Sequence, residues 1–133
     1  MKITLLLIAL SIGLLGYGQE DARISTVDFV QILNDNEKEA IFYYKHNWKI
    51  LREMALKKEY IHSFQLLETP TSNKEPFDLM LITTYPNQEQ YDLREAHFSE
   101  LIKEKGKLEL LNNKEPNAFR KALFRKEMVR HLN

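Results

Sequence analysis

The stretch Phe77-Asp78-Leu79-Met80-Leu81-Ile82-Thr83-Thr84-Tyr85 decides the fold. It reads as a β-strand, and as a strand it is apolar on both sides: Phe77, Leu79 and Leu81 point one way, Met80 and Ile82 the other. A strand in an antiparallel sheet with one wet face alternates apolar with polar residues. This one does not, so both of its faces must be covered.

Before it, Thr69 to Pro76 carries two prolines, Asn73 and Ser72, a loop between antiparallel strands, and Tyr60 to Leu67 alternates as the preceding strand. Glu37 to about Lys58 has a helical period, with Ala40, Tyr44, Trp48, Leu51, Met54 and Ala55 on one stripe. Asn34-Asp35-Asn36 is the turn that starts this helix, and Thr26 to Leu33 is a first strand. In that strand Val27, Phe29 and Leu33 oppose Val30 and Ile32, so it too is apolar on both sides. After the deciding stretch, Pro86-Asn87 stops the strand. Asn87 with Gln90 makes a capping-box-like start to a second helix that runs to Lys105 and ends at Gly106. Its stripe is Tyr91, Phe98, Leu101 and Ile102. Lys107 to Pro116 is irregular with room for one short helical turn. Residues 117–132 fit either an amphipathic helix or a helical turn leading to a strand from about Leu123 to His131.

The strand is favoured because it completes β-α-β-β-α-β, the ferredoxin-like α+β arrangement. There, two helices lie on one face of a four-stranded antiparallel sheet whose first and third strands are central. Those are the two strands that are apolar on both faces. The helices cover one face; the second is expected to meet the same sheet of another subunit, because closed symmetric homodimers are the commonest soluble oligomers. At this point the chain resembles the dimeric α/β-barrel superfamily, in which two such subunits join sheet to sheet, and within it small exported bacterial proteins of unknown function. The resemblance is carried by Tyr43-Tyr44-Lys45-His46-Asn47-Trp48-Lys49, by Lys57-Lys58-Glu59-Tyr60-Ile61 leading into Ser63-Phe64-Gln65-Leu66-Leu67, and by Phe77 to Thr83. It spans about Val27 to His131.

The amino-terminal segment has a separate meaning. Met1-Lys2 is positive, Ile3 to Leu15 is nearly unbroken apolar sequence, and Gly16-Tyr17-Gly18 has small residues where a signal peptidase reads. Residues 1–18 are therefore expected to be a cleaved signal peptide and residues 19–133 one ferredoxin-like domain, exported to the periplasm or the extracellular medium. The apolar run is shorter than the roughly 20 residues a spanning helix needs, so no stable membrane anchor is expected after cleavage. The whole chain has 19 basic and 19 acidic residues, a balance that argues against nucleic-acid binding, which needs a basic stripe. There is no cysteine, so neither disulfides nor thiolate chemistry. With four glycines, no Gly-x-Ser-x-Gly elbow and no His-Glu-x-x-His pair, the sequence presents neither a phosphate loop nor a familiar hydrolase or metalloprotease site.

The resemblance implies a ligand cleft between sheet and helices, so groups on the inward helix faces are the candidate binders: Tyr44, Asn47 and Trp48 on the first helix, Arg94 on the second. Asn47 falls within the aromatic stripe, where its amide orients a ligand or bonds neighbouring protein groups. Arg94 either clamps an anion or covers the core edge with its stem. His97 is the candidate catalytic group; with Glu100 one turn on it makes two metal ligands, short of the four of a structural site. No metal or cofactor is expected. The expected function is a homodimeric binder of a small apolar or aromatic molecule. The alternatives are a cofactor-light oxygenase or isomerase, a haem-degrading enzyme, or a non-catalytic structural or interaction protein of the envelope.

Overall fold

The computed structural model describes residues 21–133. The signal peptide expected at residues 1–18 lies outside the described residues. In chain order the elements are β1 (Ile24–Ile32), α1 (Glu37–Tyr43), a π-helical turn (Tyr44–Trp48), α2 (Lys49–Lys57), β2 (Ser63–Glu68), β3 (Leu79–Tyr85), α3 (Gln88–Asp92), α4 (Arg94–Lys105), α5 (Pro116–Phe119) and β4 (Arg120–Arg130). The strands form one antiparallel sheet in the order β2-β3-β1-β4. With β1 and β3 central, this is the ferredoxin-like arrangement.

The ladder fixes the faces. Val30 pairs with Leu79, Asp28 with Leu81, Thr26 with Thr83 and Ile24 with Tyr85, so these residues share one face. The other face holds Phe29 against Met80 and Val27 against Ile82. The helices cover the first. Its core falls in two clusters, one around Ile24, Ala55, Ile61, Tyr85, Tyr91 and Leu101, the other around Val30, Tyr44, Leu79 and Leu81. Leu67 and Phe124 complete the opposite face at 39% and 50% exposure, beside the half-buried Val27, Phe29, Met80 and Ile82.

Several boundaries differ from the sequence reading for local reasons. Phe77 precedes β3 and meets Phe29 edge-on at 4.9 Å, placing it on the open face and not with Leu79 and Leu81. Tyr60 is not in β2, because α2 ends there in a two-bond cap: the Tyr60 N–H donates to the Ala55 carbonyl and that of Glu59 to Leu56, with Glu59 at φ 60°. The first helix widens into the π turn at its middle. The second breaks at Leu93, and its stripe residue Ile102 is 54% exposed. The last strand begins at Arg120, ahead of Leu123, directly after the short helix α5. The expected Asn87 cap is present, its Oδ1 accepting the Gln90 N–H at 2.9 Å.

Candidate functional site

The gap between the two core clusters is a cleft between the helical layer and the sheet. It consists of two cavities, of about 250 and 180 Å³, that share Arg52 and Arg125. The larger is bounded by Tyr44, Trp48 and Arg52 above and by Asp28, Val30 and Leu81 below. The smaller adds Thr26, Tyr85, Arg94 and Phe98.

The π turn sets this wall. An α-helix turns 100° per residue, so a spacing of four overshoots and a long stripe drifts around the axis. One wide turn resets it, and Tyr44, Trp48 and Arg52, four apart, all face the cleft. π turns of this kind occur often at functional sites. On the floor, β1 turns Thr26 and Asp28 to the helix side while Val27 and Phe29 face the other way, giving the cleft a polar base.

Arg52 lies where a hydrophobic side chain would join the two core clusters. Its guanidinium carbon sits 4.4 Å from the Trp48 ring centre and 4.3 Å from that of Phe98, and its Nε donates to Thr83 Oγ1 at 3.2 Å. Among the described residues it forms no ion pair with a carboxylate. Burial pulls its pKa down to about 10. Arg125 differs: its Nε donates to Asp28 Oδ1 at 2.5 Å, and that bond raises its pKa. Arg120 lies over Tyr43 and Tyr44, 5.1 and 6.0 Å from their ring centres, and its Nε is buried without a hydrogen-bond partner. Burial pushes the Tyr44 hydroxyl up to about 12 and raises that of Tyr85.

Of the expected binding residues, Tyr44, Trp48 and Arg94 line the cleft. Arg94 reaches it over the Tyr91 ring at 4.1 Å while donating to the Tyr91 carbonyl at 3.0 Å. Asn47 is not among the lining residues. Its Nδ2 donates to the carbonyls of Tyr43 and Glu109 at 3.0 and 2.8 Å. Its Oδ1 accepts from the Glu109 N–H at 2.8 Å and Lys105 Nζ at 2.9 Å. The amide is thus occupied in tying the 105–109 segment to the first helix. His97 is not a lining residue either: it stacks flat on Tyr60 at 3.6 Å, and the Glu100 carboxylate accepts from Lys58 at 2.7 Å and from the Tyr60 hydroxyl at 3.2 Å. His131 lies with its Nε2 2.8 Å from Ser25 Oγ.

Sequence reasoning missed Arg52, Asp28, Arg120 and Arg125. Asp28 carried a signal, a carboxylate in the middle of a central strand, and Arg125 is its cross-strand partner. Arg52 carried none, because a straight helix of the same sequence takes Leu51 as its stripe position.

No protein-family model matches the chain. No curated protein matches it. Solved structures do. A conserved protein of unknown function from Bacteroides thetaiotaomicron, described as a possible oxidoreductase, is 21% identical over 80% of this chain and 98% of its own, with a TM-score of 0.44. A dimeric protein of unknown function and ferredoxin-like fold from Bacteroides fragilis is 9% identical over 82% and 99%, with a TM-score of 0.45. A conserved protein from Methanosarcina mazei is 18% identical over 82% and 95%, with a TM-score of 0.44. The fold of this chain rests on its strand order.

Proposed function

We propose that this chain is an exported homodimer, joined through its open sheet faces, that binds a small apolar or aromatic molecule in the cleft between sheet and helices. The observation that carries the binding reading is the pair of cavities walled by Tyr44, Trp48, Arg52 and Phe98, where a packed domain of this size would have continuous core. Aromatic faces on one side and a few fixed polar groups on the floor suit a flat ligand that is held and oriented. Association is supported by the open face, where Phe77, Phe29 and Phe124 form an aromatic row, Phe124 stacking on Phe29 at 4.4 Å. Val27, Met80, Ile82 and Leu67 extend this patch. Export is supported by the charge, apolar run and small residues of positions 1–18.

Trp48 is the one tryptophan in the sequence and lines the larger cavity, so its fluorescence reports occupancy directly. Titration with a panel of small aromatic and aliphatic molecules is expected to give saturable changes in Trp48 emission for some members. A panel that leaves the emission unchanged, with no ligand retained in native mass spectrometry, contradicts the binding reading and leaves a structural role. Fractionation of the producing cells tests export: the account expects the shortened chain outside the cytoplasm.

A further inference from the structure

We infer that the ligand of this cleft is an anion, a small aromatic or apolar carboxylate, received by Arg52. The inference rests on the binding reading above and adds the charge of the ligand to it.

A cation withdrawn from water is costly unless it is paired. Arg125, which lines the same two cavities, has its carboxylate in Asp28. Arg52 has two aromatic faces and one hydroxyl, which satisfy its flat sides and a single N–H. An arginine presents five N–H donors in a planar fork, and no hydrogen bond within the described residues occupies the Nη groups of Arg52. The charge balance around it points the same way. The two cavities are lined by four arginines, Arg52, Arg94, Arg120 and Arg125, against two carboxylates, Asp28 and Glu95, and Arg94 has a further carboxylate, Glu127, at 3.9 Å. Asp28 is already engaged, and Arg120 keeps a buried Nε without a partner.

The shape of the site selects among anions. Planar, bidentate recognition by a guanidinium suits a carboxylate. The Trp48, Tyr44 and Phe98 rings beside the fork provide apolar surface for the remainder of the molecule, and cavities of about 250 and 180 Å³ hold one ring or a short chain.

The test uses matched pairs in which charge alone changes: benzoate against benzamide, phenylacetate against phenylacetamide and octanoate against octanamide, titrated into the purified protein with Trp48 emission and calorimetry as readouts. The expected result is binding of at least one acid roughly tenfold or more tighter than its amide, the scale of charge-assisted hydrogen bonds. Arg52→Gln is expected to abolish that preference, and Arg52→Lys to restore it only in part, since an ammonium lacks the fork. The comparison of acid with amide on the unaltered protein stands even if the variants fail to fold. Amides that bind as tightly as their acids, or a preference unchanged in folded Arg52→Gln, overturn the carboxylate inference and leave the binding reading intact. If neither acids nor amides bind, both fall.

Discussion

Asn47 illustrates how a polar residue within an aromatic stripe divides between two roles that spacing cannot separate. Its four hydrogen bonds all go to the protein itself: to its own helix, to Lys105 at the end of α4 and to Glu109 beyond it. Removing the buried amide takes away the partners of the Glu109 N–H and carbonyl, so Asn47→Ala is expected to lower stability by about 1–3 kcal/mol. The same variant should retain the Trp48 response to ligand; thermal denaturation and the fluorescence titration read the two effects separately. Glu37 gives a pH-dependent prediction. It lies beside Glu68 with Asp78 near, and the shared hydrogen bond and repulsion hold its pKa above the usual carboxylate range. A carboxylate raised in the folded state destabilises the fold at pH values above its unfolded value, and the penalty reaches its full size above the raised folded value. Glu37→Gln should therefore raise the melting temperature at neutral pH, with the gain vanishing as the pH falls below the ordinary carboxylate value. A gain independent of pH would contradict this.

At the scale of elements, what was legible followed from how strongly local chemistry forces the backbone. The apolar run of β3, the Asn87 cap and the Gly106 terminus each leave one plausible conformation, and each was readable. Asn87→Ala should cost about 1 kcal/mol through loss of its bond to Gln90. Gly106 sits at φ 82°, ψ −138°, a region other residues enter only with strain. Although nothing crowds a Cβ there, Gly106→Ala should cost about 1–3 kcal/mol in a denaturant titration. The π turn was not legible, since the wide turn responds to packing between the helix and the sheet, and Arg52 in the cleft depends on it. The two irregularities in the β1–β4 pairing were likewise hidden. One accompanies Met128 at φ 52°, a conformation set by the tertiary ladder and not by methionine.

For the whole molecule, fold and candidate site come from one economy of sequence. The central strands use one face to pack the helices and form the cleft, and leave on the other a row of aromatic and aliphatic side chains. The cleft needs its Arg52 unpaired by protein; the open face needs a second sheet. Phe29→Glu with Phe124→Glu places four like charges at the centre of the proposed junction, and should yield a folded monomer with the circular dichroism of the parent. The most direct measurement is sedimentation equilibrium of the purified protein over a hundredfold range of concentration. The account predicts twice the chain mass through most of that range. A single-chain mass at the highest concentration, with Phe124 open to water, would contradict it.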